Sequence, residues 1–428
     1  MRLIYLVLFL TSLLHALPFT LVKHEASQSE GSTLFVIGGI HGNEPGSYYA
    51  ASILTQYYTI TKGNLWVIPN LNHKSIMLNS RGINGDMNRK FADIDADDAD
   101  FPIVDELKKI IIDPRVDLIL NLHDGHGFYR KEYKNTIFNP GAWGQTCVID
   151  QISLDGDHIY KDMNKIASAV SQELNGGLIE NHHCFDVRNT NTRFDDEAMK
   201  HSLTFYAINH NKPAFAIETS KNLPTLEEKV FYQLRAIEGY MRYMGISYQR
   251  SFELTPENLN TILKINGNVT INNNIYLNLE NLRADLSFVP LKSKQNDSHF
   301  THPLGGMIQE GKKISLYVGN QKITSITPSI HADTSGAEKL IVEVDGQKQE
   351  LAFAKEYLVA ADISVINNSS IRTNIIGFTC KGKKDESNIK VSLKDLDPKY
   401  SIDKDAKIYR AEFYRGNDFF GMVLIHFK

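Results

Sequence analysis

The sequence predicts an α/β fold, a mostly parallel or mixed sheet flanked by helices, followed by two small β-rich domains. Three observations carry this expectation. From Thr33 to about Tyr248, short β-branched and apolar runs alternate with segments of helical periodicity, the pattern of a largely parallel sheet covered by helices. After Ser251 the helical periodicity stops, and short alternating runs separated by Asn, Gly, Asp and Lys take over, as in sandwiches or barrels. At 428 residues the chain also exceeds the roughly 250–300 at which a single core stops growing, so several domains are required.

The first residues, MRLIYLVLFLTSLLHALP, carry one Arg and then an apolar run from Leu3 to Leu14. That run is shorter than the roughly 20 residues that span a bilayer. It reads as a cleaved secretory signal over 1–17, with an uncleaved anchor as the alternative, and implies an exported protein. Thr33–Ile40 is a buried strand that ends in two glycines, and Pro45 opens a helix to Tyr58. Further strands are expected at Asn64–Asn70, Val116–His123 and Pro213–Thr219. Helices are expected at Pro102–Ile112, His158–Leu174, Asp195–Asn209 and Leu226–Met244, the last an amphipathic covering helix. Together they make one domain over 18–250. Beyond it, strand-like runs at Asn268–Ile271, Ile275–Leu279, Ile314–Val318, Leu340–Val344, Tyr357–Val365 and Lys407–Tyr414 give β-rich domains over 251–335 and 336–428, divided at Ser335-Gly336.

Apolar and charged fractions are those of an ordinary globular protein, and a net charge of −4 leaves no electrostatic footprint for nucleic acid. Cys147, Cys184 and Cys380 are an odd, scattered set; a Cys147–Cys184 disulfide and unpaired thiols are both open.

The chemistry gathers at strand ends, where open α/β sheets bind ligands. The stretch GGIHGNEPG puts His41 and Glu44 three positions apart just past the first strand, close enough to share a cation. A catalytic zinc takes three such ligands and keeps an open position. The third is expected from NLHDGHG, where His123 closes the third strand at the sheet edge and His126 lies out in the glycine loop. Glu218 ends the fourth strand; paired with Lys221 it would be an ordinary strand-end carboxylate. RGINGDMNRKF places Arg81, Asp86, Asn88 and Arg89 together, which suits bidentate capture of a carboxylate. The acidic run Asp93–Asp100 is not a calcium loop, because Asp98 replaces the glycine and Val104 the final glutamate of that pattern. His182-His183-Cys184 is read as structural, since adjacent residues of an extended segment face opposite ways.

Taken together and in this order, His41-x-x-Glu44, the Arg81 to Arg89 segment, His123 and the AFAIETS run holding Glu218 resemble the zinc carboxypeptidase family. The motifs lie within 33–220. With the export signal and the β-rich C-terminus, the chain resembles more narrowly the periplasmic peptidoglycan D,L-carboxypeptidases that set helical cell shape. Where some of that subgroup carry Gln at the first ligand position, this chain has His41.

The resemblance implies one zinc per chain held by His41, Glu44 and His123, with Asp86 behind His41. It also implies Arg81 as oxyanion donor, Asn88 and Arg89 gripping the substrate carboxylate, and Glu218 as general base. Trp143 and Thr146 would contact the peptide stem, and Tyr206 is the candidate for the active-site tyrosine of the digestive enzymes. It implies a periplasmic enzyme that trims a peptidoglycan tripeptide stem to a dipeptide, releasing meso-diaminopimelate. An N-acyl amino acid deacylase of the same superfamily and a non-catalytic wall-binding protein are the alternatives. The C-terminal domains are left as glycan binders, docking sites for other cell-shape proteins, or braces.

Overall fold

The computed structural model describes residues 17–26, 31–332, 339–367 and 370–428. The signal-like run up to Ala16 and the expected boundary at Ser335-Gly336 lie outside the described residues.

A seven-stranded mixed sheet forms the first unit. Its order is Val22–Glu25, Asn64–Ile68, Thr33–Ile37, Leu118–Gly125, Ala214–Ser220, Thr146–Ile149 and Asp186–Asn189. The four strands expected from the sequence are the second to fifth of these, mutually parallel and almost wholly buried. Burial on both faces is what makes such strands continuous apolar runs. The three strands not anticipated are the edges and an antiparallel insertion. Val22–Glu25 alternates between half-buried and exposed, and Asp186–Asn189 is polar apart from Val187.

Helices Pro45–Tyr57, Phe101–Ile111, Met163–Asn175 and Leu226–Tyr243 agree with the periodicity to within a few residues. The expected helix Asp195–Asn209 is broken into Thr192–Asp195, a 3-10 turn at Met199–His201, and Leu203–Asn209. The cause is local. Ser202 takes an extended conformation and its side chain accepts from Phe205 N, capping a new helix rather than continuing the old one.

Beyond 264 the described residues form β-strands and two 3-10 turns, Leu393–Asp395 and Pro398–Tyr400. The run expected as one strand, Tyr357–Val365, is two, Lys355–Val359 and Ile363–Ile366. The Asp345 carboxylate accepts from the backbone N–H groups of Ala360, Ala361 and Asp362 and so fixes a turn between them. The hairpin Ile408–Arg415 and Asp418–Phe427 serves two cores at once. Tyr414, Met422 and Leu424 pack with strands of 269–326, while Tyr409, Phe413 and Val423 pack with those of 340–391. Opposite faces of one hairpin therefore join the two β-rich units.

The middle unit also locks onto the first. Leu304 is buried within the α/β core, Asn70 Nδ2 donates to Pro303 O (3.0 Å), and Tyr49 Oη donates to Val318 O (3.3 Å). All three cysteines are free; burial pushes the Cys147 thiol up to about 11.

Candidate active site

His41 and Glu44 lie in the turn between strand Thr33–Ile37 and helix Pro45–Tyr57. The turn is possible because Gly39 takes a φ of +78° and because Gly42 has no side chain: a Cβ there would sit 2.0 Å from Ser75 O. Glu44 is the residue preceding the helix, yet its carboxylate caps nothing and is free for other partners. His123 comes from within the third parallel strand, and Gln233 of helix Leu226–Tyr243 donates from Nε2 to its carbonyl at 2.7 Å.

These three side chains converge. Glu44 Oε2 lies 3.1 Å from His41 Nδ1 and 2.9 Å from His123 Nδ1, and the two imidazole centroids are 4.9 Å apart. All three are buried. Among the described residues they are the one group of three His, Cys, Asp or Glu ligand atoms mutually within 4.8 Å. Buried charge is retained when it is paired or coordinates a metal. Here a carboxylate faces two imidazoles whose Nδ1 atoms both point at it, and His41 Nδ1 has no hydrogen-bond partner. This nitrogen and oxygen donor set fits a divalent cation.

The surroundings orient the set. His41 Nε2 lies 2.8 Å from Asp86 Oδ1, which assigns the ring proton to Nε2 and the lone pair to Nδ1. Asp86 Oδ2 in turn accepts from Arg81 Nε at 2.9 Å, and Arg81 Nη1 stands 3.3 Å from Glu44 Oε1, where Lys221 Nζ also approaches at 3.4 Å. Burial disfavours a charge on His41, but Glu44 and Asp86 outweigh it and its pKa is raised. On Glu44, burial is outweighed by the two histidines, which hold it well below the usual carboxylate range. His123 is lowered by burial.

Glu218 stands in register with His123 on the neighbouring strand. Burial raises its carboxyl well above the ordinary range, reinforced by Glu44 and Asp124. Gly125 makes room for it, since a Cβ there would meet Glu218 Oε2 at 2.7 Å and Trp143 Cβ at 2.5 Å. A cavity of about 260 Å³ opens over the set and is lined also by Arg81, Asn88, Arg89 and Trp143. Asn88 is anchored by Leu203 N, which donates to its Oδ1 at 3.0 Å, and Arg89 Nη1 donates to Asn88 O. The Arg188 guanidinium lies 3.8 Å from the Trp143 ring centroid.

Two residues singled out in the sequence do not line the cavity. Tyr206 stacks on His210 with centroids 4.2 Å apart, and the buried Thr146 uses its hydroxyl to hold Trp143 O at 2.6 Å. Among the lining residues not assigned as site residues are Asp124, Thr204 and Lys221, together with His126 of the glycine loop. Asp124 accepts from Gly46 N at 2.8 Å and from Thr219, and burial pushes it up to about 6. Its one sequence signal was adjacency to His123. His183 is structural, buried against Phe128 with its Nδ1 3.0 Å from Tyr232 Oη. Within the acidic run, Asp98 and Asp100 both pair with Lys90.

Comparison with known proteins follows the same lines. Residues 1–264 match the model of the carboxypeptidase controlling helical cell shape, catalytic domain, and residues 334–428 match that of the C-terminal domain of metallo-carboxypeptidase. No match is found among curated proteins. The apo crystal structure of the cell shape determinant protein Csd4 from Helicobacter pylori superposes with a TM-score of 0.92 at 32% identity, covering 96% of this chain and 100% of that one. Its tripeptide-bound form matches equally. The mDAP-bound form, described as a D,L-carboxypeptidase, matches at the same identity and TM-score over 95% of this chain and all of that one.

Fold and site thus define a metallocarboxypeptidase, a hydrolase of peptide bonds. The chain belongs to the family of carboxypeptidases controlling helical cell shape.

Proposed function

We propose that this carboxypeptidase is zinc-dependent, acts in the periplasm after export, and shortens peptidoglycan tripeptide stems to dipeptides by releasing meso-diaminopimelate. The observation that carries the reading is that Arg81, Asn88 and Arg89 open onto the same small cavity as His41, Glu44, His123 and Glu218. A substrate whose terminal carboxylate is gripped by Asn88 and Arg89 brings its last amide bond to the ligand triad. The tripeptide-bound and mDAP-bound states of the similar Csd4 protein support the substrate class. The apolar run Leu3–Leu14 supports export.

His41, Glu44 and His123 would hold the zinc, and Asp86 would keep His41 in the tautomer that leaves Nδ1 free. When bound, zinc supplies a Lewis acid that polarises the scissile carbonyl and activates water. Glu218 is a carboxylate whose raised proton affinity suits it to take a proton from the attacking water on its Oε and return it to the leaving amine. Arg81 offers a fixed donor where negative charge grows on the carbonyl oxygen, the kind of group whose loss costs about 10²–10³ in rate. Trp143 walls the cavity beside Glu218 and limits water there.

The test is mass spectrometry of purified muropeptides incubated with the protein. Tripeptide stems should lose one diaminopimelate, chelator should stop the reaction, and zinc should restore it. Release of amino acids from N-acyl amino acids with intact muropeptides would replace this reading by the deacylase one, and unchanged binding of muropeptides in excess zinc would replace it by a wall-binding role.

A further inference from the structure

The two β-rich units meet over a second cavity of about 550 Å³, far from the metal ligands in the chain and lined by residues of 283–288, 374–376, 399–402 and 410–414. Its floor is strand Ile408–Arg415, where Arg410 and Glu412 are 5% and 2% exposed and pair at 3.2 Å. Arg410 Nη1 and Nη2 donate to the carbonyls of Phe288 and Ser287, while its buried Nε has no acceptor. Glu412 Oε2 accepts from Tyr414 Oη, and its buried Oε1 is the atom that faces Arg410 Nη1. Buried polar atoms without partners are rare enough in native proteins to call for an explanation.

The rim is aromatic. Strand Asp285–Leu291 bulges at Phe288, where the register with its parallel neighbour shifts between Ser287 and Val289. Phe288 takes a φ of +57°, a region that bulky side chains rarely adopt, and its ring is 71% exposed. The neighbouring Leu286 and Val289 are buried, so the bulge holds this one ring outside the sheet. Tyr400, 47% exposed, also lines the cavity, with Lys399 Nζ 4.7 Å from its ring centroid.

The charged donors around the cavity are already taken up within the protein. Asp285 pairs with Lys313, Lys399 with Asp397, and Arg410 with Glu412, while Arg283, with no carboxylate partner among the described residues, donates to the carbonyls of Asp403, Lys399 and Pro398 and to Ser401 Oγ. The donor and acceptor left over are neutral. The Asn374 amide, cross-strand from Glu412, makes no hydrogen bond among the described residues and offers both a donor and an acceptor. A site with an exposed aromatic ring beside an uncharged amide suits a ligand with apolar C–H faces and a periphery of hydroxyl and amide groups. That is a saccharide; an anionic polymer would find the Arg283 donors already spent on backbone carbonyls.

We propose that this cavity binds a neutral glycan segment of N-acetylated amino sugars and so holds a wall strand while the catalytic unit works on its peptides. The saccharide class rests on the cavity alone; the wall as its source rests on the carboxypeptidase reading above. In the full chain, the β-linked tetramer of N-acetylglucosamine is titrated and followed by calorimetry, with wild type, Phe288→Gly and Asn374→Ala compared. Glycine removes the ring and also relieves the left-handed backbone, so Phe288→Gly should keep or raise the melting temperature. It should nevertheless weaken the tetramer by roughly tenfold, and Asn374→Ala should weaken it too. Turnover of free tripeptide should be unchanged in both variants, whereas release from intact sacculi should fall.

No binding of the tetramer by wild type, or equal binding by all three proteins, overturns the proposal. So does competition at this site by a sugar-free stem peptide but not by the tetramer. Loss of tripeptide turnover in the wild type with tetramer binding intact would count against the carboxypeptidase reading and leave the saccharide site standing.

Discussion

Glu218 and His123 are direct partners on adjacent parallel strands, so the side chains of both residues leave the sheet on the same face and reach one cavity. The separation of a proton-handling carboxylate from a ligand imidazole is thereby set by strand spacing rather than by a loop. Rigid placement of this kind is what holds a reacting constellation together. Removing either group should then have separable effects. Glu218→Gln should retain bound zinc while turnover falls by roughly 10²–10⁴, whereas His41→Ala should lose the metal. Metal analysis beside muropeptide turnover checks both, and full activity in Glu218→Gln would discard the mechanism.

Asp86 should tune affinity rather than supply a ligand, since it touches only the far nitrogen of His41. Asp86→Asn keeps the shape but loses the charge that favours a proton on Nε2. Zinc affinity is expected to drop by roughly 10–100-fold, measured by competition with a chromophoric chelator. An unchanged affinity would mean that the tautomer is set elsewhere.

Gly42 should be intolerant of any side chain. A Cβ would stand 2.0 Å from Ser75 O and 2.4 Å from Ile76 N, both backbone atoms that cannot swing aside. Gly42→Ala must push the His41 loop away from helix His73–Met77, at about 1–3 kcal/mol by analogy with overpacked cores. A lowered melting temperature together with weakened zinc binding is the expected pair of results.

The junction between the first and second units should be acid-sensitive. Burial pushes His302 down to about 4, and its Nδ1 accepts from Leu304 N, a bond that needs an unprotonated nitrogen. The unfolded imidazole titrates near ~6.5, so between these values the unfolded chain holds the extra proton. The contribution is complete above about pH 6.5 and is lost as pH falls toward 4. His73, whose Nε2 lies 3.3 Å from Leu304 O, is likewise lowered by burial. Melting temperatures of wild type should fall between pH 7 and about 4.5 more steeply than those of His302→Gln; parallel curves would remove this junction from the account.

Much of this molecule is readable in one dimension. Four apolar runs bounded by glycines and helical periodicity become the four central parallel strands because burial on both faces forces every position to be apolar. Edge strands escape notice for the converse reason. With one side exposed, DVRN at Asp186–Asn189 has no composition that separates it from a loop. His41, Glu44, Asp86, His123 and Glu218 were visible because metal and proton chemistry restricts residue type, and strand ends restrict place.

Other features depended on where the chain returns in space. Asp124 gains its partners from Gly46 and Thr219, far away in sequence, and apart from its adjacency to His123 nothing local distinguishes it from a surface aspartate. Tyr206, twelve residues before Glu218, was the candidate for the family's active-site tyrosine, but the helix restarts at Ser202 and the Tyr206 ring lies against His210 instead of lining the cavity. The sharing of the hairpin 408–427 between two cores, and the hollow it creates beneath Phe288, are likewise products of packing. Sequence by itself determined which residues could bind a cation and which runs could be buried, because those are properties of side chains and their period. Tertiary structure alone decided which polar groups meet and which are left without partners, because that depends on distances between segments that only folding brings together.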